Sequence, residues 1–312
     1  QQGLAILKSL RMFLTQEQVV SLLDEVPVGP SNALTEYGLL PKMQILVCGG
    51  DGTAGWVLQE MMDKRDDFRE REWIPPMSVL PLGTGNDLAR VLNWGGGYTS
   101  SSRLDKILEN IYSRSERTLL DRWEVKITPN DEAAASKEPE TFVLNNYFSL
   151  GLDAQIALQF HNMREASPGL FRSRTVNKGI YGVYGVQKFI DSPPKVTDYG
   201  LKITVGDDEL SPDILRKLEC IVWQNIPSYG GGSVLWGDYN PEIEPHIQPC
   251  KMDDGILEVV GLKNITHVLG IQTSVTSGTK LGQGSKFCID VTSECPIQVD
   301  GEPMIIAPST IA

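Results

Sequence analysis

The chain has little histidine, little basic excess and no long apolar run, and each shortage excludes something. Its three histidines, His161, His246 and His267, form no HExxH pair, so that zinc-hydrolase motif is absent. Lys and Arg number 28 against 40 Asp and Glu, a formal net charge of −12, which argues against nucleic acid as a partner. No apolar stretch is long enough to span a bilayer and no signal peptide opens the chain, so a cytoplasmic protein with at most peripheral membrane contact is expected. Five cysteines, Cys48, Cys220, Cys250, Cys288 and Cys295, lack metal-ligand spacing; an odd, dispersed set reads as reduced thiols. The opening Gln1-Gln2-Gly3 reads as a start with upstream sequence missing.

What is present is ordinary for an enzyme. The 312 residues suggest two domains, with 41% hydrophobic and 22% charged residues. The chain is organised around Ile45 to Trp56, ILVCGGDGTAGW. Ile45 to Cys48 reads as a buried strand and Thr53 to Met62 as a helix. Between them, Gly49, Gly50 and Gly52 remove the Cβ atoms that would keep a ligand from the backbone. A glycine turn into a helix N-terminus suits phosphate, through free N–H groups and the helix dipole. The pattern recurs: Met77 to Leu80 reads as a strand, followed by Gly83-Thr84-Gly85-Asn86-Asp87 and another helix. Strand–loop–helix twice within a hundred residues predicts an α/β, doubly wound parallel sheet with both loops at its carboxyl edge.

Around this centre, residues 3 to 14 and Leu104 to Ile111 read as helices, and Val19 to Leu23 as a short strand. Ser31 or Asn32 is expected to cap a second helix, and Asp63 to Glu72 to be an exposed connection. Leu119 to Thr128 and Thr141 to Leu150 read as strands, and Asp153 as the cap of a helix to about Arg164. Beyond Lys195 come short strands and tight turns, which predict a β-rich, sandwich-like second domain. The division expected is 1–123, an α/β domain, and 124–312, a β-rich domain.

Three readings of the first loop compete. Gly50 to Gly55 satisfies GxGxxG, but Asp51 would repel a pyrophosphate unless a metal lay between. A Walker loop is excluded, since no GxxxxGK[ST] occurs. In the third reading the two loops share a magnesium-nucleotide, with backbone donors on phosphate and the acids on the metal.

The sequence resembles the catalytic and accessory domains of eukaryotic diacylglycerol kinases. GGDGTAGWVL, LPLGTGNDLARVLNWGGGY, LDRWEV, NNYFSLGLDAQIALQFHNMRE, NIPSYGGGSVLWGD, DDGILEVVGL and PIQVDGEP stand in the family's order over nearly the whole chain. The family usually opens with a strand and an Asn-Pro-x-Ser-Gly-type loop that this sequence lacks, so the resemblance implies that 1–123 is an ATP-binding catalytic domain without its first strand and loop, and 124–312 an accessory domain whose last strands return toward the active site. The resemblance implies transfer of the γ-phosphoryl of ATP, with Mg2+, to diacylglycerol at a membrane surface. It implies that Gly49, Gly50, Gly52 and Thr53 cradle the nucleotide, completed by Gly83, Thr84, Gly85 and Asn86. It implies that Asp51, Asp87, Asp121 and Glu302 organise magnesium, and that Asp300 is the general base, with Asp51 also catalytic. Read without the family, Asp300-Gly301 is a good hairpin turn and Asp121 an ordinary strand-edge acid. Asp253 and Asp254 match a metal-supported turn of bacterial relatives or a plain turn. Asn225 and the Gly230–Gly232 run are candidates for a lipid cleft, and Trp236 for the core or a membrane contact. Lys178 and Lys188, among Tyr181, Tyr184 and Phe189, suit a half-buried helix or a membrane face. A sphingoid-base or ceramide kinase, or a catalytically silent binding module, remain as alternatives. Gly50→Asp is expected to abolish turnover and leave the fold largely intact.

Overall fold

A computed structural model describes residues 2–22, 29–38, 40–70, 72–99, 103–130, 138–167 and 194–312. The chain divides into two compact units, Gln1–Thr118 and Leu119–Ala312.

In the first unit, β1 (Ile45–Gly49) and β2 (Met77–Pro81) pair in parallel, from Ile45 opposite Met77 to Gly49 opposite Pro81. Helices cover both faces of the pair. Ile6 and Leu10 of α1 (Gln2–Leu10) and Leu104 of α6 (Leu104–Ser113) pack with Leu80 on one side. On the other, Leu34 of α2 (Pro30–Tyr37), Val57 and Met61 of α3 (Asp51–Asp63) and Phe68 of α4 (Arg65–Glu70) pack with Val47. Burial on both faces is what the unbroken apolar runs of a parallel strand require. A short α5 (Asp87–Val91) follows β2.

Three local expectations change here. Residues 19–22 form no strand. Ser31 and Asn32 lie inside α2, whose N-cap is Gly29 and whose first residue is Pro30, a ring already set for helical φ. The charged connection contains α4, because Phe68 at 1% exposure anchors one face of an otherwise polar segment.

The second unit holds two six-stranded antiparallel sheets. One runs β4–β3–β14–β11–β6–β7 and joins β3 (Trp123–Pro129), β4 (Glu140–Leu144), β6 (Lys202–Val205), β7 (Asp208–Glu209), β11 (Phe287–Val291) and β14 (Ser309–Ile311). The other runs β10–β9–β8–β5–β12–β13 and joins β5 (Tyr147–Gly151), β8 (Cys220–Gln224), β9 (Leu257–Leu262), β10 (Thr279–Gly284), β12 (Cys295–Val299) and β13 (Glu302–Ile306). Alternate residues of both sheets, among them Phe148, Trp223, Val259, Ile203 and Ile289, form one core. The outer face of the second sheet is also covered. Cys220, Val222 and Val260 pack there with Leu152 and Ile156 of α7 (Leu152–Ala166) and Ile271 of α9 (Ile265–Gln272), a shorter α8 (Pro212–Leu215) lying between them in sequence. Burial on both faces explains why every residue of β8 and β9 is buried. Trp236 joins this outer cluster at 1% exposure, its indole donating to the Gln248 carbonyl, so it is a core residue.

The single strand expected from Thr141 to Leu150 is two. β4 and β5 belong to different sheets, and the chain crosses between them at Asn145-Asn146. Asp153 is no cap: Gly151 holds that position, and Asp153 accepts from the Ser149 hydroxyl at 2.6 Å. Lys178, Tyr181, Tyr184, Lys188 and Phe189 lie outside the described residues. Among the described residues no helix is long and apolar enough to cross a membrane.

Candidate functional site

The two glycine loops of the first unit meet. A Cβ on Gly50 would stand 2.9 Å from the Gly83 Cα, and one on Gly83 would stand 2.6 Å from the Gly50 Cα. Gly50 and Gly83 are therefore required by backbone-to-backbone contact, before any ligand is considered. Gly49 has a different partner, since its Cβ would collide with the Thr53 side chain at 2.5 Å. Gly52 is exposed, with nothing within 4 Å of its Cβ direction, so it alone of these four faces open space. The contact also revises the reading of Gly50→Asp, which would wedge the loops apart as well as block the phosphate site.

Asp51 joins the loops electrostatically. Its carboxylate accepts the Asp87 N–H at 3.1 Å and the Leu88 N–H at 3.0 Å, supplying the N-terminal cap that α5 otherwise lacks. Each oxygen accepts one N–H in these two bonds, and the group is half-buried. Asn86 sits in the left-handed region at φ 55° and is 1% exposed. Its side chain accepts the Gly83 N–H at 2.8 Å and donates to the Gly83 and Gly96 carbonyls at 2.8 and 2.9 Å. It shapes the second loop from within. Arg90 does the same from outside, donating to the Gly85 carbonyl at 3.2 Å while its guanidinium lies over Gly96, where a Cβ would come within 2.0 Å. Thr84 and Gly85 are half-buried and Asp87 is buried at 1%.

The second unit holds Asp121, Asp300 and Glu302. The Asp300-Gly301 pair makes the two-residue turn between β12 and β13, with φ 49° and 87° and Val299 opposite Glu302. This turn buries its own acid. The Asp300 carboxylate accepts the Asn145 N–H at 2.8 Å, the Asn145 side-chain amide at 2.9 Å, the Asn146 N–H at 2.7 Å and the Tyr147 N–H at 3.1 Å. Burial pushes its pKa up, and these four bonds pull against that. The same network continues through Asn145, whose amide oxygen accepts from Arg122 at 2.9 Å. Asn225, wholly buried, donates to the Asn145 and Asp121 carbonyls at 2.6 and 2.8 Å and accepts from the Trp123 indole at 2.8 Å. It thus sits inside the network and not on a cleft. The Asp121 carboxylate accepts the Gly255 N–H at 2.6 Å, and Glu302 is exposed. Burial raises the pKa of Asp254 in that turn.

Beside the Asp300 turn, a small cleft of about 70 Å³ runs between α7 and α9. Leu152, Ile156, Ile265 and Val268 form apolar walls, and Asp153 and Gln298 are polar lining groups, with Gly301 at the rim. Gln298, at 1% exposure, fixes the rim by accepting the Gly301 N–H at 2.5 Å and donating to Ser149 at 3.0 Å. Asn145, Asn225 and Gln298 were not singled out as a linked set by the sequence; the Asn145-Asn146 pair inside an apolar run was the available signal. His161 pairs with Glu165 at 3.2 Å along α7 and takes no part.

The family model of the diacylglycerol kinase accessory domain matches residues 143–303, and that of the diacylglycerol kinase catalytic domain matches residues 1–118. The chain belongs to the diacylglycerol kinase family. Diacylglycerol kinase theta of Homo sapiens is 36% identical over 312 residues, covering 98% of this chain and 32% of its own. Diacylglycerol kinase zeta of Rattus norvegicus is 38% identical over 318 residues, covering 99% and 33%. The chain spans about a third of the length of these diacylglycerol kinases. A solved structure of a diacylglycerol kinase from Bacillus anthracis aligns over 90% of this chain and 76% of its own, with 15% identity and a TM-score of 0.43. Diacylglycerol kinase membership accounts for both units, one under each family model.

Proposed function

We propose that the protein transfers the γ-phosphoryl group of ATP to the free hydroxyl of diacylglycerol, giving phosphatidic acid and ADP. The observation that carries this reading is the Gly50–Gly83 contact, which brings two strand-to-helix loops together under the catalytic-domain match. In the transfer the hydroxyl oxygen bonds to phosphorus, the bond from phosphorus to the bridging oxygen breaks, and the hydroxyl proton leaves to a base. The N–H groups around Gly52 and Thr53, and those of Thr84 and Gly85, bind the phosphates; Gly49, Gly50, Gly83 and Asn86 shape the loops that present them.

The acids fit magnesium. They offer hard oxygen donors, and among the described residues no three carboxylates form a cage of their own. That suits an ion held by one or two carboxylates, water and substrate phosphate. The family resemblance nominates Asp51 and Asp87 of the first unit, and Asp121 and Glu302 of the second, as the acids that would act on it directly or through water. When bound, the ion neutralises charge on the phosphates. The family resemblance nominates Asp300 as the general base, with Asp51 also catalytic. The lipid acceptor is read from the family match, since the cleft between α7 and α9, at about 70 Å³, is far smaller than a diacylglycerol. Contact with the membrane surface is then peripheral, as diacylglycerol requires.

The test is transfer of radiolabel from γ-labelled ATP to a panel of lipids in mixed micelles. Labelled phosphatidic acid from diacylglycerol, dependent on magnesium, is expected. Labelling of sphingosine or ceramide in its place would overturn the acceptor, and absence of saturable mant-ATP binding would mark a silent module.

A further inference from the structure

We infer that the end of α9 and the turn that follows it, residues 269–276, form the face by which the second unit docks on a lipid bilayer, with Leu269 and Val275 entering the acyl boundary.

The turn is a built feature. α9 ends at Gln272, and the chain leaves it through Ser274 at φ 58°, a left-handed position where glycine is usual. The Ser274 N–H donates to the Ile271 carbonyl at 2.9 Å and the Val275 N–H to the Gly270 carbonyl at 2.9 Å, the two bonds of a Schellman turn. In such a turn the residue in the place of Val275 commonly packs on the side chain in the place of Gly270. Here there is none, and a Cβ on Gly270 would come within 2.8 Å of the Thr276 side chain. Val275 therefore stands out at 82% exposure, on a backbone that hydrogen bonds hold in place. Leu269, more than a turn back on α9, is 36% exposed. Close by, Val234 is 54% exposed beside Leu235, whose carbonyl accepts the Gly278 N–H at 2.8 Å. Apolar groups presented together in this way mark a surface that meets an apolar partner.

The charge pattern says which partner. The chain carries 40 Asp and Glu and a net charge of −12, yet neither Cys220 to Gly237 nor Val259 to Ile289 contains an acid. The two stretches adjoin, since β8 pairs with β9 and Gly278 bonds to Leu235. Gln272 to Thr276 are all exposed and all uncharged, and Lys263 is exposed ahead of α9. Glu244, which reaches this region from the preceding loop, is paired with Lys280. A bilayer offers hydrocarbon beneath polar headgroups, and its negative surface potential repels acids. A strongly acidic protein can approach it only by a face from which acids have been removed, and this face is one. A second copy of the chain fits less well, because a few exposed side chains fall far short of the roughly 1,200 Å² that a stable protein interface buries. Leu269 also lines the cleft between α7 and α9, whose rim is Gly301, so the face adjoins the Asp300 turn. At about 70 Å³ that cleft is too small to draw the acyl chains of a diacylglycerol out of a bilayer, so the acceptor is met at the surface. That consequence for turnover rests on the kinase reading; the docking face does not.

The test is co-sedimentation of the full chain with vesicles of phosphatidylcholine and phosphatidylserine, without ATP. Beside it, initial rates with MgATP are taken on dioleoylglycerol in the same vesicles and on monomeric dihexanoylglycerol. Val275→Asp is expected to weaken vesicle binding at least about tenfold. It is expected to lower the ratio of vesicle rate to monomer rate by a similar factor, at an unchanged melting temperature. Val275→Trp, a larger apolar group with an N–H for the headgroups, is expected to tighten binding by about threefold or more. Ile214→Asp adds the same charge at an exposed apolar residue of α8, beside Asp213, and is expected to bind as the unsubstituted chain does. The proposal is overturned if the unsubstituted chain binds no vesicles, or if both Val275 variants bind as it does. It is overturned equally if Ile214→Asp loses as much as Val275→Asp, if Val275→Asp lowers the vesicle and monomer rates alike, or if sedimentation velocity shows a dimer that Val275→Asp dissociates. A chain that binds vesicles through Val275 and transfers phosphate to neither diacylglycerol keeps the docking face and ends the kinase reading.

Discussion

The two units use the same device to opposite ends. In each, one aspartate carboxylate accepts backbone N–H groups from a distant segment. Asp51 reaches 36 and 37 residues ahead and Asp300 reaches 153 to 155 residues back. Asp51 accepts two bonds and is half-buried, on a loop where the backbones have been brought together by glycine. Asp300 accepts four bonds and is buried inside a turn. Two N–H donors leave part of the Asp51 carboxylate free to take an ion or a proton. Asp300 takes three backbone N–H groups and one side-chain amide, which ties the β12–β13 turn to the β4–β5 crossing.

The largest expected effect separates glycines that serve the fold from one that serves the ligand. Gly83→Ala places a methyl 2.6 Å from the Gly50 Cα and 2.8 Å from the Asn86 side-chain oxygen, so the loops must part. Turnover is expected to fall at least about 100-fold, with the first unit destabilised by about 1–3 kcal/mol. Gly52→Ala meets nothing within 4 Å and lies in the first turn of α3. It is expected to melt at or above the unsubstituted protein, since Ala exceeds Gly by about 1 kcal/mol in a helix, while binding ATP more weakly in a mant-ATP titration. Equal ATP affinity in Gly52→Ala would remove that residue from the nucleotide site. Asp51→Asn comes next. It keeps one acceptor for α5 and loses the charge, so turnover is expected to drop about 100-fold or more at a stability cost of about 1 kcal/mol. A loss of stability alone would leave Asp51 a cap of α5 and nothing more.

Much of this contrast was legible in the sequence. The strand–glycine–helix repeat, the parallel pair and the short strands of the second unit all follow from local pattern, and α3 and β2 begin within two residues of where periodicity puts them. What was hidden is whatever depends on pairing across long separations. Asp300-Gly301 reads as a hairpin turn, and it is one; nothing near it reveals that its carboxylate closes a gap at Asn145. Asn225 reads as a polar residue before a glycine run, yet it is buried because Trp123 and Asn145 come to it from other strands. The glycines of GGDGT read as ligand space, and only the fold sets Gly50 against Gly83.

Glu258 extends the comparison to a carboxylate short of donors. It is wholly buried on β9, opposite Gln224 of β8, and only one of its oxygens is satisfied, by Gln283 at 2.9 Å. Its other oxygen and the Gln224 side-chain oxygen have no partner among the described residues. Burial, first among the causes, pushes its pKa up to about 7 from 4.5, while hydrogen bonds from Cys250 and Gln283 pull it down. A folded-state pKa above the unfolded one means the native protein holds the extra proton. That stabilisation is complete below about pH 4.5 and is lost as pH rises through about 7. Glu258→Gln keeps the oxygen that Gln283 uses and supplies a donor for the unpartnered side, fixing the neutral form at every pH. The variant is expected to melt near the unsubstituted protein at pH 5 and above it at pH 8, by an amount on the order of 1–3 kcal/mol. Parallel melting curves at the two pH values would show that Glu258 stays charged when buried. A buried carboxylate with a whole oxygen unpartnered would then be as stable as Asp300 with four donors, and donor supply would cease to explain why Asp300 is held by four.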